Sequence, residues 1–223
     1  MKLSDATLGA LKNFAAINPN LVVRAGNTVK TISEAKNIVA EAEISESFPV
    51  DFGVYDLNEF LSVIGLVDDA DLDFNEDSVV VSQGRSKIRY RFSEIDILTS
   101  PSKSVKMPSA DVTITLDGET LSKVKRAAGV LGHTDIAITG DNGVIDISVV
   151  DTRDTSSNTF SITIDDDNAC KESFNFIMNI GNLKILPGDY EVDISKVLIT
   201  NFRNKDLPVQ YWIALEKNST FGG

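Results

Sequence analysis

One cysteine, one histidine and one tryptophan are all that 223 residues hold of those types. Cys170 alone can form neither an internal disulfide nor a thiolate metal cluster. A Cys170–His133 nucleophilic pair is set aside, because His133 sits in a Gly-His-Thr-Asp turn context and each residue has an ordinary structural explanation. No apolar run approaches the roughly 18–20 residues of a membrane span. Met1-Lys2-Leu3-Ser4-Asp5 lacks the apolar stretch of a signal peptide, so a cytoplasmic protein without membrane contact is expected. There is no phosphate-cradling Gly-Lys-Ser/Thr loop, and no cofactor or metal is expected. Basic residues are scarce: 21 Lys and Arg stand against 33 Asp and Glu, a net charge of −12. Residues 37 to 84 contain no Lys or Arg at all. That total argues against nucleic-acid binding at face value, but where the positive charge sits decides the matter.

With 42% hydrophobic and 24% charged residues, the chain can bury a core as one large domain or two of roughly 110 residues. Two segments read as matching amphipathic helices. The first opens at Ser4 or Asp5 and runs to about Ile17, with Leu8, Leu11, Phe14 and Ala15 as its apolar stripe. The second opens at Asp117 and runs to about Val130, with Leu121, Val124, Ala128 and Leu131, and Gly132 ends it. Their offset aligns Leu8 with Leu121, Leu11 with Val124 and Lys12 with Lys125. Each leads into a strand (Leu21 to Ala25; Ile136 to Thr139) and a turn (Gly26-Asn27; Gly140-Asp141-Asn142-Gly143).

A second pair follows. The strand Phe52 to Tyr55 enters a helix over Asp56–Val67, with Leu57, Phe60, Leu61 and Ile64 on one face. The strand Phe174 to Met178 enters a short helix over Asn179 to Leu186. Such a repeat predicts two copies of one unit. The expected division is residues 1–98, a Ser/Pro/Lys-rich connector over 99–110, and residues 111–223. Strands outnumber helices, so the class is α+β, with antiparallel sheets and a few helices on one face.

Several runs carry a family likeness: Met1-Lys2-Leu3-Ser4, Leu11-Lys12-Asn13-Phe14-Ala15 with Ile17-Asn18, Val54-Tyr55-Asp56-Leu57-Asn58 with Phe60-Leu61, and Asp135-Ile136-Ala137-Ile138-Thr139. Phe174-Asn175-Phe176-Ile177, Leu186-Pro187-Gly188-Asp189-Tyr190 and Ala214-Leu215-Glu216 extend it. In this order the series resembles the DNA polymerase sliding clamps of T-even-type phages and their cyanobacterial-virus relatives. The resemblance implies two clamp domains per chain, antiparallel sheets outside, helices lining a central pore, and a homotrimeric ring like the proliferating cell nuclear antigen. It also implies the partners: sequence-independent duplex DNA, a DNA polymerase, a clamp-loader ATPase and further copies of the chain, with no catalysis.

Three constellations fit that expectation. Lys12, Lys123, Lys125, Arg126 and Lys184 on the repeat helices are candidate phosphate contacts; a solvated helix face is the plain alternative. Arg85, Lys87, Arg89 and Arg91 alternate and are expected on one strand face. They are candidates for a subunit seam opposite Asp165, Asp166 and Asp167, although charge protecting an edge strand would look the same. The resemblance implies an apolar pocket for partner peptides at Val105, Met107 and Pro108 with Tyr211, Trp212, Ile213 and Leu215, residues that could equally be ordinary core. Two rivals stay open: an acidic, strand-rich phage structural or assembly protein, and a metal-dependent hydrolase resting only on aspartate abundance.

Overall fold

The computed structural model describes residues 1–101 and 104–222, so Ser102 and Lys103 of the expected connector, and Gly223, lie outside the described residues. The chain divides into two compact units, Met1–Ser104 and Val105–Gly223.

The first unit runs α1 (Asp5–Ile17), β1 (Leu21–Val23), β2 (Gly26–Ile32), β3 (Ile38–Phe48), β4 (Phe52–Val54), α2 (Leu57–Ile64), β5 (Asp71–Phe74), β6 (Ser78–Gln83) and β7 (Ser86–Arg91). Ser4 caps α1 by accepting from the Thr7 amide, and Asp56 caps α2 by accepting from Asn58 and Glu59. Both satisfy amides that a helix start leaves open. β1 pairs with β4, β2 with β3, and β5, β6 and β7 form a meander, all antiparallel. The Phe52 ring organises the core, with Phe48 at 5.3 Å, Phe74 at 5.3 Å and Phe92 at 4.8 Å between centroids.

The second unit runs β8 (Val112–Leu116), α3 (Gly118–Leu131), β9 (Asp135–Asp141), β10 (Val144–Val150), β11 (Phe160–Asp165), β12 (Phe174–Asn179), β13 (Tyr190–Ser195), β14 (Ile199–Asn204), β15 (Val209–Ala214) and β16 (Thr220–Phe221). One antiparallel sheet has the order β11-β10-β9-β12-β16, and β13 pairs with both β8 and β14, β14 with β15. The repeat is therefore topological. β9 with β12 mirrors β1 with β4, β10 with β11 mirrors β2 with β3, and β13-β14-β15 mirrors β5-β6-β7. The architecture is α+β with antiparallel sheets, as the residue pattern predicts.

Four local expectations are corrected. The predicted helix over Asn179 to Leu186 is a single 3-10 turn, Ile180–Asn182. Gly and Asn are poor helix formers, and buried Leu183 and Ile185 flank exposed Lys184 with the period of an extended chain. Lys184 is thus not on a helix. The α2 helix ends at Ile64, capped by Gly65, short of Val67. The first reversal falls at Arg24-Ala25 rather than Gly26-Asn27, because Asp51 accepts from the Ala25 amide at 2.7 Å and from Arg24 at 2.8 Å. On α1 the buried face is Thr7, Ala10, Leu11, Phe14 and Ile17, with Leu8 and Ala15 only half-buried.

Candidate functional site

The rotated face of α1 has a direct consequence for its one lysine. Lys12 is exposed and stands nearly opposite the buried side, rather than flanking it. On α3, Leu121, Val124 and Ala128 are buried while Lys123, Lys125 and Arg126 are exposed. Arg126 points away from the core; Lys123 reaches back to Glu119 at 2.6 Å. The Lys125 ammonium lies close enough to protein that desolvation pushes its pKa down. No Asn or Gln stands beside these cations on α3 to read base edges, so the chemistry available is charge attraction to phosphate.

The meander β5-β6-β7 leaves β7 as an edge strand, and β11 is the edge of the five-stranded sheet. Lys87, Arg89 and Arg91 project from one side of β7 and are exposed, with Ile88 and Tyr90 half-buried on the other. Arg85 is not among them. It sits with Gly84, at φ 56°, in the β6–β7 turn, which breaks the alternation. Arg91 pairs with Asp77 at 3.1 Å. Among the described residues Lys87 and Arg89 have no ion pair.

At the other edge the three aspartates are not equivalent. Asp165 ends β11 and accepts from the Asp167 amide at 3.1 Å and from the Asn168 side chain at 2.8 Å. Asp167 pairs with Lys171 at 3.2 Å, and Asp166 is exposed. β11 itself offers half-buried Phe160, Ile162 and Ile164 alternating with exposed Ser161 and Thr163. Beside it, α3 and β11 flank an open slot of about 400 Å³ lined by Lys123, Arg126, Ala127, Val130, Leu131, Thr159 and Phe160. Val130, 81% exposed, belongs to this slot. It is an apolar residue off the buried stripe of α3, a signal present in the sequence that the stripe reading passes over.

The structure separates the predicted peptide-pocket residues. Tyr211 is core: its ring is fully buried, its hydroxyl accepts from the Leu186 amide at 3.2 Å, and Tyr190 donates to the Leu186 carbonyl at 2.6 Å. Burial pushes the Tyr211 phenol pKa well up. Ile213 and Leu215 are buried as well. Trp212 alternates to the opposite side of β15, and its Nε1–H is buried without an acceptor. Val105 and Met107 are half-buried and Pro108 is exposed.

Set against known proteins, residues 2–96 match the family described as DNA polymerase processivity factor, and residues 113–217 match gp45 sliding clamp, C terminal. The chain is 36% identical to the sliding clamp of Vibrio phage KVP40 over 222 residues, 97% of this chain and 99% of that protein. It is 32% identical to the sliding clamp of Enterobacteria phage T4, covering 99% of both. Among solved structures it is similar to the A. fulgidus PCNA bound to the C-terminal region of FEN-1, with a TM-score of 0.70, 12% identity and 96% of each chain covered. A DNA polymerase sliding clamp from Pseudomonas aeruginosa gives 0.68 at 10% identity, over 96% of this chain and 63% of that one.

Proposed function

The chain belongs to the sliding-clamp family of DNA polymerase processivity factors, and on that premise we propose that three copies close head to tail into a ring around duplex DNA. It is not an enzyme; its contribution to replication is topological. A ring can leave DNA only by opening a seam or by sliding off an end. Residence is therefore set by the seam, while phosphate contacts stay weak enough for sliding. Lys12 on α1 and Lys123, Lys125 and Arg126 on α3 supply such contacts, with Lys184 as an extended-chain addition.

The observation that carries the seam is the pair of open edges, β7 and β11, with opposite charge. Antiparallel pairing, the mode of every ladder within each unit, lays the start of β7 beside the end of β11. Arg85 in the turn and Lys87 at the strand start then meet the neighbouring copy's aspartate cluster, where Asp166 and Asp167 are the exposed carboxylates. Arg89 lies further along, and Arg91, held by Asp77, is the most remote. The slot between α3 and β11 would be covered by the docked copy.

Around the ring, the reading assigns a polymerase and a separate loading ATPase as partners, with the host cell cytoplasm as location. The chain has no helix long and apolar enough to cross a membrane among the described residues. We divide the chain at the connector 99–110, between domains 1–98 and 111–223. Val105, Met107, Pro108 and Trp212 remain the peptide-docking candidates, although the Trp212 ring and its N–H are buried. The PCNA neighbour with a bound FEN-1 C-terminal region supports a docking role for this fold.

The test is charge reversal read by light scattering. Arg85→Glu with Lys87→Glu should shift the mass from trimer toward monomer and abolish retention on circular DNA. Adding Asp166→Lys and Asp167→Lys should restore both. A trimer unaffected by the first pair would sink the ionic seam, and a monomeric parent protein would sink the ring formed in isolation.

A further inference from the structure

An open strand edge needs a defined place at which pairing stops. On β11 that place is a bulge. Ile145 stands opposite Asp165 and Asp146 opposite Thr163, so Ile164 is an extra residue on the edge strand of the five-stranded sheet. A bulge bends its strand and ends regular pairing, and the chain beyond it has no ladder to fix its direction.

One buried amide side chain holds it instead. Asn168 is 8% exposed, although Asp167 and Ala169 on either side are exposed. Its Nδ2 donates to the Thr113 carbonyl of β8 at 3.0 Å and to Asp165 Oδ2 at 2.8 Å, and its Oδ1 accepts from the Cys170 amide at 2.9 Å. Its own backbone amide donates to the Gly143 carbonyl in the β9–β10 turn at 2.8 Å. That turn lies close: a Cβ at Gly143, where φ is 88°, would stand 2.8 Å from the Asn168 carbonyl oxygen. The side chain thus uses both N–H donors and its oxygen at once. An aspartate here would set a second carboxylate, with nothing to donate, against Asp165 and the Thr113 carbonyl.

The consequence reaches the edge of the sheet. With Asp165 committed to the Asp167 amide and to Asn168, the turn presents Asp166 and Asp167 outward. The exposed Asp167–Lys171 pair at 3.2 Å is too weak a contact to set their place. Their position is inherited from the bonds that Asn168 makes to β8 and to the β9–β10 turn.

We propose that Asn168 is a positioning residue of the subunit seam. By locking the chain beyond the Ile164 bulge, it places Asp166 and Asp167 where Arg85 and Lys87 of a second copy meet them. The role rests on the ionic seam of the proposed ring, and Asn168 serves it from inside its own unit, through other residues rather than by contact. Removing the amide leaves every seam charge in the chain but frees the turn that carries two of them.

A double-mutant cycle on the full chain separates this role from plain stability, with trimer dissociation followed by sedimentation at several salt concentrations. Asp166→Asn with Asp167→Asn removes the charges and keeps the turn; Asn168→Ala removes the lock and keeps the charges. Each should weaken the trimer about tenfold and lessen its sensitivity to salt. Combined, they should weaken it no further than the charge-removing pair alone, because a misplaced carboxylate and a missing one are the same loss. Asn168→Ser, whose short hydroxyl cannot span Thr113 and Asp165, should repeat the Ala result and carries the cycle if the Ala variant folds poorly, circular dichroism checking the fold of both. A folded Asn168 variant with unchanged dissociation, or one whose effect adds in full to that of the charge-removing pair, would overturn the role and leave the ionic seam standing. A charge-removing pair without effect would overturn the ionic seam and the role with it.

Discussion

A single carboxylate fastens α1 to the sheet beneath it. Glu46 on β3 accepts from the Ser4 amide and, at 2.5 Å, from the Thr7 hydroxyl, the same two residues that form the α1 cap. Desolvation alone would raise its pKa. The hydrogen bonds from Thr7 and Ser4 overcome that and hold it at about 2, against an ordinary 4.5. The folded state thus prefers the charged form more than the unfolded chain does. Its contribution is complete above about pH 4.5 and is lost as pH falls toward 2. Glu46→Gln should lower stability at neutral pH by about 1–2 kcal/mol once solvent screening is allowed for. It should also flatten acid sensitivity between those two values, measured by urea unfolding at several pH values. A variant as acid-sensitive as the parent would place the sensitivity on other carboxylates.

At the scale of elements, the closest approach of one backbone to a glycine of another segment is where β4 passes the chain after β7. A Cβ at Gly53 would meet the Ser93 carbonyl oxygen at 2.5 Å and Leu98 Cδ1 at 2.7 Å. The first obstacle is backbone bonded to Gly53 itself, Ser93 donating to its carbonyl at 2.9 Å, so no rotamer change relieves it. Gly53→Ala should cost about 1–3 kcal/mol, read as a lower denaturation midpoint with unchanged slope; an unaffected midpoint would mean the two segments part easily. Much at this scale is legible beforehand. Ser4 and Asp117 announce their helices, periodic apolar residues give α1, α2 and α3, and the repeat gives the topology. Where reading fails, local chemistry outweighs pattern. The alternation through Arg85 continues on paper, but Gly84 turns the chain and removes Arg85 from the face of β7. Asp165, Asp166 and Asp167 read as one free acidic run, yet Asp165 is committed to its own turn by donors from Asp167 and Asn168, and Asp167 carries an exposed pair with Lys171. Tyr211 reads as half of an amphipathic strand, and its hydroxyl partner at Leu186 lies 25 residues away.

The whole molecule must reconcile a net charge of −12 with a hold on DNA. Phosphate contacts have to come from local cations on a surface whose overall charge repels the duplex. Lys12 and Arg126 stand opposite the buried faces of their helices, and Lys123 is diverted only by an exposed pair with Glu119. Such a pair is worth about 0.3–0.5 kcal/mol and yields readily to a phosphate. Replacing Lys12, Lys123 and Arg126 by Ala should therefore leave the mass in solution intact while reducing the salt dependence of DNA association. Each lost contact should lower the slope of log affinity against log salt by about 0.9. Retention on circular DNA at low salt should persist, because a closed ring is held by its seam rather than by these charges, and processive synthesis should fall as the duplex loses its centring contacts. If the slope stays the same in the triple variant, those cations do not face the duplex. If the variant instead leaves circles as fast as it leaves linear ends, attraction rather than enclosure holds the protein on DNA.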